Sequence, residues 1–527
     1  AHILRSINLE PFYKFDLAKL RRVIDGKFKG HRINAIINPT FEDALQYIEQ
    51  LDRSDEPIAL DIEVIANETA CIGFANSPHE GMCINFRDSK TNRYSIPEER
   101  ILRTRIQRLL HNEEKKFIAQ NGSFDCGWLW YKDRIHVHKI WFDTLLAHHT
   151  LYPRLPHNLG FLTAQYTDHP YYKDEGKTWR EGGDINQFWE YNVKDCCITW
   201  AAHKALQNEL NKQGMNDFFF DHVMRLQSHL VAMQVGGIKA DITLKDKIAR
   251  ELERELDAKL NKFHSHVQKL VKDPTYTPNP KSPKQLGNLL FDRLHMIGRG
   301  ASTNRENRDR MRLHQRTTDD QIKLLDLLDD YLKESKFYST YATQKADGDG
   351  RIRCEYKQFG TQSAPGRLSS SGTLWGSGMN LQNQPQRAYP MFIADEGYMM
   401  SYFDLKQAEA KVVAYQWNVS GLIQTFEKAE TDDNYDVHRG NASRIFKIKY
   451  EDVPTYDRDR DGEPTIRYLG KRCVHGLNYR MQAPKLADVC GIPMNQAQEA
   501  FFAYHRAFPE IQSAWSKTIS TVRTERM

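Results

Sequence analysis

Cysteine is scarce, with eight residues in 527. The one close pair, Cys196-Cys197, lacks Cys-x-x-Cys spacing, which argues against a zinc framework or a disulfide scaffold and for a reducing, intracellular compartment. No apolar run approaches membrane-spanning length, and the start, Ala1-His2-Ile3-Leu4-Arg5, lacks the apolar core of a signal peptide. Neither sign of charge is in real excess. The 74 basic and 69 acidic side chains leave a formal charge of +5, so a surface for a polyanion has to be a local concentration of charge. The composition is that of an ordinary globular protein, 40% hydrophobic and 27% charged. The length suits two to four domains.

Ile58-Ala59-Leu60-Asp61-Ile62-Glu63-Val64 reads as an apolar strand carrying two carboxylates. Positions i and i+2 of a strand share a face, so Asp61 and Glu63 project side by side and repel unless a cation lies between them. Phe117 to Gln120 reads as a short strand entering Asn121-Gly122-Ser123-Phe124-Asp125 and a Trp-rich helix, where Asp125 is either a helix cap or part of a site. Tyr191 and Asp195 stand four apart, on one helical face. His148-His149 point about 100° apart on a helix and chelate poorly, so one is expected packed and one solvated. Residues 166–178, with Asp168-His169-Pro170-Tyr171-Tyr172, read as a loop able to lie over the site.

Taken in order, Asp61-x-Glu63, Asn121-x-x-Phe124-Asp125 and Tyr191-x-x-x-Asp195 resemble the three motifs of DEDD-type 3′→5′ exonucleases, in the version that carries a tyrosine. Phosphodiester hydrolysis by two metals uses hard oxygen ligands around ions roughly 4 Å apart. The resemblance implies that Asp61, Glu63 and Asp195 are metal ligands and that Asp125 holds water on the second ion. It also implies that Tyr191 orients the attacking water. Asp143, in Trp141-Phe142-Asp143-Thr144-Leu145, takes a supporting role.

In the second half, the pattern from Asp221 to Gln234 is helical and stops at Gly236-Gly237. A long charged helix follows from about Leu244 to Lys272, suiting a projecting arm or a coiled-coil seam. Six arginines between Arg299 and Arg316, including Arg308, Arg310 and Arg312, read either as a solvated loop or as a flexible arm on DNA phosphates. A helix is expected from Thr318 to Tyr341. Asp347-Gly348-Asp349-Gly350 reads as a hairpin turn between short strands. The stretch Tyr398 to Tyr415 begins as an apolar, aromatic run that suits a buried strand and turns at Asp404 towards a helix. An acid at such a strand exit is costly unless a cation meets it. Asp404 therefore either caps the helix or meets a metal bound to a phosphorylated substrate. Arg467, Lys471, His475 and Tyr479 recur every four residues, a helical stripe drifting about 40° per step over roughly 18 Å. Asp457-x-Asp459-x-Asp461-Gly462 imitates a calcium loop, but Tyr468 stands at its twelfth position, so a solvated turn is expected.

Met233 to Asp241, Ala364-Pro365-Gly366-Arg367, Asn380-Leu381-Gln382-Asn383-Gln384-Pro385, Asp404 to Glu409, Asp436-Val437-His438 and the Arg467 stripe resemble, in this order, segments of family A DNA polymerases. The resemblance implies that Asp404 ligates two magnesium ions (manganese being able to substitute) and that Gln407 and Glu409 line the nucleotide site, with Glu409 excluding a 2′-hydroxyl. His438, Arg467 and Lys471 would meet the triphosphate, Lys471 also being a candidate acid for the leaving pyrophosphate. His475 would lie over sugar and base, and Tyr479 would stack at the template side. Arg367, Asn380 and Gln382 would grip the primer–template in the minor groove, where contacts test pair geometry rather than identity. Departures are Lys406 for a small hydroxyl residue, Lys411 for arginine, His475 for Phe or Tyr, and Arg480 for glycine.

The implied fold is an α/β, ribonuclease H-like exonuclease domain over 1–215, followed by an α+β right-hand polymerase domain. Its expected parts are a thumb over 216–345, a partial palm over 346–420 and fingers over 421–527. The 48 residues after Tyr479 contain no His-Asp-Glu-type hairpin, so the second palm carboxylate is expected from another chain. The alternative expectation is an exonuclease whose polymerase region only binds DNA and nucleotide. The absence of a 5′-nuclease domain, with His475, resembles bacteriophage-type polymerases that proofread during replication. Expected partners are primer–template DNA, dNTPs and replisome factors in the cytoplasm of a bacterial or phage-infected cell, with no membrane.

Overall fold

Short apolar runs from Asn34 to Asp143 build a six-stranded mixed sheet in a computed structural model of the chain. The model describes residues 10–525 apart from 29, 31, 89–90, 176–182, 299, 301, 313, 361–365 and 460–462. The strands are β1 (Asn34–Ile36), β2 (Ile58–Ile65), β3 (Glu68–Ala75), β4 (Glu80–Asn85), β5 (Phe117–Ala119) and β6 (Ile140–Asp143), in the spatial order β1-β4-β3-β2-β5-β6. β2, β3 and β4 form an antiparallel meander, while β1, β5 and β6 join in parallel. The β2–β3 turn uses Ala66 and Asn67 at φ +51° and +65°, the left-handed geometry that suits a two-residue hairpin. A register shift after Glu63 puts a bulge beside the acidic pair.

The Ile185–Lys212 helix begins at Asp184, whose side chain accepts from the Asn186 N–H. It lays Phe188, Trp189, Val193 and Cys196 into the core beneath the sheet. The approach is close because β3 offers no side chain at Gly73. A Cβ there would lie 2.2 Å from Asn192 Oδ1 and 2.9 Å from Cys196 Sγ. All eight cysteines are buried and free.

Beyond the sheet, the Arg225–Gly236 helix stops at Gly237, φ +62°. The Ile242–Val271 helix starts at Asp241, which accepts from Leu244 N at 2.9 Å. Its buried Leu252 packs with Phe337, Ala388 and Met391, and Phe263 and Val267 are also buried, so one face of the expected arm is packed while the other stays exposed. The expected Thr318–Tyr341 helix runs from Asp319 to Phe337 and widens into a short π turn over Tyr338–Ala342. The turn at Asp347–Gly350 does not close a local hairpin: Arg351–Ile352 pairs with the distant Ile238–Lys239. Within the turn, the buried guanidinium of Arg353 holds Asp347 at 2.7 Å and Asp349 at 2.5 Å.

The chain divides into two compact units, Ala1–Ser282 with Ile322–Met399 and Pro283–Gln321 with Met400–Met527. That division runs through the stretch expected as one thumb. The second unit is helical among its described residues and has its own core around Leu422, Phe426, Leu469, Cys473, Tyr504 and Phe508. Among the described residues, strand structure outside the large sheet consists of two two-stranded ribbons, so the second half is largely helical. Residues 398–405 do not form the expected buried strand. Among the described residues no strand lies beside them, the Tyr398 N–H turns back to the Asp395 carbonyl at 3.0 Å, and Met399 and Phe403 are 92% and 90% exposed. A strand needs a neighbour to take its N–H and C=O groups, and none is provided here. No helix among the described residues is long and apolar enough to cross a membrane.

The Gly73 approach is directly testable. Gly73→Ala should destabilise the first unit by about 1–3 kcal/mol through overpacking against Asn192, measured as a lower chemical-denaturation midpoint. An unchanged midpoint would show that the helix is free to shift outward.

Candidate active sites

The acidic pair on β2 meets the Ile185–Lys212 helix. Asp61, Glu63 and Asp195 each place a carboxylate oxygen within 4.8 Å of the others, the one group of three potential metal ligands among the described residues. Asn192 Nδ2 holds the first of these acids, donating to Asp61 Oδ2 at 2.8 Å and to its carbonyl at 3.1 Å. Asp125 stands just outside the trio. It does not cap its helix, which starts at Asn121; its Oδ1 accepts from the β2 backbone at Ile62 N, 3.0 Å away. Burial first, and then the charges of Asp195 and Asp125, push the Asp61 carboxyl well above the usual range. Burial likewise raises Asp125 to about 7.

Asp143 is fully buried and ties the strand ends together. It accepts from Gly122 N (2.8 Å), Asn121 N (3.2 Å), Leu145 N (2.9 Å) and Gln227 Nε2 (2.7 Å). The segment expected over the site does reach it, in its described part. Tyr172 donates its hydroxyl to Asp195 Oδ1. Lys173 Nζ lies 2.5 Å from Asp195 Oδ2 and 2.6 Å from the Tyr191 hydroxyl. Lys173, Tyr172 and Asn192 were not singled out from sequence. The Tyr171-Tyr172 cluster and the neighbour of Tyr191 were the available signals, but only the fold turns them inward. Residues 176–178 lie outside the described residues. His148 is buried as expected for one of the pair, but His149 is half-buried rather than solvated. The two rings bond opposite nitrogens of His157, at 2.8 and 3.1 Å. A third imidazole, invisible in the His-His spacing, holds both.

In the second unit a cavity of about 590 Å³ is lined by Asp404, Gln407, Glu409, His438, Lys471, His475 and Tyr479, together with apolar neighbours. The Ile466–Leu477 helix carries the stripe as far as His475. Tyr479 lies past the helix end, because the N–H groups of Tyr479 and Met481 both turn back to the Gly476 carbonyl. Arg480 there adopts φ +61°, the left-handed region that favours glycine, which gives the glycine departure a backbone meaning. Tyr479 still faces the cavity, its hydroxyl 3.1 Å from Glu409 Oε2. Gln407 Nε2 approaches His438 Nε2 at 3.5 Å.

Arg467 is gripped by two acids, Asp436 at 2.9 Å and Asp457. Asp457 also accepts from Lys471 at 3.3 Å. The first residue of the calcium-like stretch is therefore an ion-pair partner rather than part of a solvated turn; Asp461 and Gly462 lie outside the described residues. Asp404 is exposed at the cavity, consistent with its lack of strand neighbours.

The expected primer-gripping segments do come together. Asn380 Oδ1 accepts from Ser370 Oγ at 2.7 Å and from Gln382 N at 2.9 Å, with Arg367 and Gln382 exposed nearby in sequence. The arginine-rich stretch is not the expected loop or flexible arm. Arg305–Arg312 is helical and its Arg308 is buried, donating to the Thr303 carbonyl. Arg310 pairs with Glu306 (3.0 Å) and Asp488 (2.9 Å), and Arg312 with Asp309 (2.6 Å). Acids in and near the helix pair with Arg310 and Arg312, and Arg308 is held by burial and the Thr303 carbonyl.

Comparison with known proteins agrees with this geometry. Residues 36–211 match the 3′-5′ exonuclease family, and residues 246–527 match DNA polymerase family A. Relatives include DNA polymerase I of Pseudomonas aeruginosa, 24% identical over 499 residues covering 90% of this chain and 51% of the relative. The DNA polymerase of Escherichia phage T5 is 26% identical over 420 residues, 72% of this chain and 47% of the relative. Thermostable DNA polymerase I of Thermus aquaticus is 27% identical over 308 residues, 56% of this chain and 34% of the relative. The chain thus spans about half the length of the curated relatives it matches, or less. The fold is shared with the POL domain of Pol1 from M. smegmatis, solved in complex with DNA primer-template and dNTP. That likeness has a TM-score of 0.68 at 18% identity and covers 93% of this chain and 79% of that one. With more than half of its residues inside the polymerase match and the exonuclease match preceding it, the chain belongs to DNA polymerase family A and carries a 3′-5′ exonuclease-type domain ahead of the polymerase region.

Proposed function

We propose that the chain joins a 3′→5′ proofreading exonuclease to the nucleotide- and DNA-binding machinery of a DNA-templated DNA polymerase. The observation that carries the nuclease reading is the convergence of Asp61, Glu63 and Asp195 beside Tyr191. The donor set fits magnesium or manganese: the ligands are hard oxygens, Asp61 is half-buried among like charges, and a lysine ammonium already stands against Asp195. Bound there, two divalent ions would supply Lewis-acid stabilisation of the phosphoryl charge. The chain's own groups do the rest. Asp61, Glu63 and Asp195 would hold the ions, Asp125 would position water beside them, and Tyr191 would align the attacking water with its hydroxyl. Asn192 keeps the Asp61 carboxylate aimed.

On the polymerase side, Arg467 and Lys471 neutralise the triphosphate with His438, and Lys471 donates a proton to the leaving pyrophosphate. Glu409 and Tyr479, linked by their hydrogen bond, close the nucleotide site at the sugar and template sides, with Gln407 and His475 lining it. Asp404 is the metal-binding carboxylate, and Arg367, Asn380 and Gln382 contact the primer end. The proposed parts are the exonuclease domain to about 215, a thumb to 345, a palm portion to 420 and fingers beyond. The host setting is the cytoplasm of a bacterial or phage-infected cell, with primer–template DNA, dNTPs and replisome factors as partners.

The uncovered run from Tyr398 to Leu405 supports one further element. Further polypeptide, continuous with this chain or separate, pairs with this run and brings a second carboxylate to Asp404. Until it is bound, the alternative applies: an exonuclease whose polymerase region binds DNA and nucleotide without extending a primer.

Asp61→Ala should reduce digestion of single-stranded DNA to background, and Tyr191→Phe should slow it about 10²-fold. Digestion that survives Asp61→Ala would end the nuclease reading. The chain alone should bind dNTP without extending a primer, and Lys471→Ala should weaken that binding on the order of tenfold, the loss expected for one charge-assisted contact. Fluorescent-nucleotide titration and a primer-extension gel read both; robust extension by the lone chain would remove the need for further polypeptide.

A further inference from the structure

Asp195 is the most heavily engaged acid of the nuclease trio. One of its oxygens takes the Tyr172 hydroxyl and the other takes Lys173 Nζ at 2.5 Å. The same ammonium sits 2.6 Å from the Tyr191 hydroxyl and 4.5 Å from the centre of the Tyr191 ring. Lys173 therefore occupies the place between the metal-binding carboxylate and the water-orienting phenol, where a divalent ion and its water would have to enter.

The segment bearing Lys173 is tethered independently on both sides. Arg22 pairs with Asp168 at 2.8 Å and Lys194 with Glu175 at 2.5 Å. The buried Tyr172 ring packs against His169, and the Lys173 stem runs past Gly160, where a Cβ would lie 3.2 Å from Lys173 Cγ. Lys173 can therefore let go of Asp195 without unseating the segment. Its side chain keeps 20% of its surface in solvent, against 8% for Asp195, so it has somewhere to go.

Resting on the nuclease reading above, we propose that Lys173 is an internal counter-cation and latch. Its ammonium satisfies Asp195 and covers Tyr191 in the metal-free site, and a divalent ion binds by displacing it. Displacement frees one carboxylate oxygen for the ion and uncovers the tyrosine hydroxyl for water. Loading of the ion and readiness of Tyr191 are then one event, and the metal-free site is held closed. The ammonium also offsets the repulsion among the three clustered carboxylates, since an acid held out of water without a cation is costly.

The test is Mn²⁺ binding to the full chain, read from free-ion electron paramagnetic resonance and independent of activity. Lys173→Met should bind Mn²⁺ about tenfold more tightly than the parent, the size of one competing charge-assisted contact. Lys173→Arg, which keeps a competing cation, should stay near the parent. Lys194→Met removes a nearby positive charge that pairs with Glu175 instead, and should tighten binding far less. Lys173→Gln, with thermal unfolding of each variant, guards against a misfolded Lys173→Met. Equal affinity in the parent and the neutral Lys173 variants, or equal tightening by Lys194→Met, overturns the latch while leaving the nuclease reading intact. Failure of both the parent and Lys173→Met to bind Mn²⁺ overturns both.

Discussion

Crowded carboxylates are the constraint around which the first unit is built. Asp61, Glu63 and Asp195 come within 4.8 Å of one another, with Asp125 close behind, and the repulsion among them has to be met by the surrounding structure. The response is local and specific. Asn192 donates to Asp61, Ile62 N donates to Asp125, and Tyr172 and Lys173 take the two oxygens of Asp195. The contacts of Asn192 and Asp195 depend on how closely the Ile185–Lys212 helix lies on the sheet, and that depends on the bare backbone at Gly73. Packing and site are the same feature seen from two sides.

The second unit meets the converse problem, with cations gathered on one helix; under the proposed function they await a triphosphate. Arg467 and Lys471 are not left bare; Asp457 bridges them and Asp436 shares Arg467. Burial pushes the Asp436 carboxyl up, but the adjacent guanidinium outweighs this and holds it below its ordinary value. Ready-made acidic partners keep the long basic side chains oriented, which reduces the ordering a bound triphosphate must impose. The arginines of Arg305–Arg312 show the limit of reading charge from composition. Once helical, Arg310 and Arg312 are paired with Glu306, Asp309 and Asp488, which a count of arginines does not show.

Spacing rules carried much of both sites. The i, i+2 relation on a strand placed Asp61 beside Glu63, the i, i+4 relation placed Tyr191 beside Asp195, and the four-residue stripe brought Lys471 and His475 to one cavity. Where the expectations departed from the structure, a non-local partner was responsible. Tyr398–Leu405 has strand-like residues but no described strand beside it. The Asp347–Gly350 turn leads into a strand that pairs more than a hundred residues away, with Ile238–Lys239. His149 is drawn in by His157, and Tyr479 falls beyond a helix end that Gly476 and Arg480 impose.

The sequence by itself determined the identity of the acids, their order, and the periodicities that put neighbours on one face, because these follow from backbone geometry within a single element. Tertiary structure alone decided what meets those faces. It brought Asp195 across to Asp61 and set Lys173 between Asp195 and Tyr191. It also turned Arg308 inward and left residues 398–405 uncovered. Such pairings join elements far apart along the chain. They are settled by packing and charge balance over the whole unit, which no local pattern encodes.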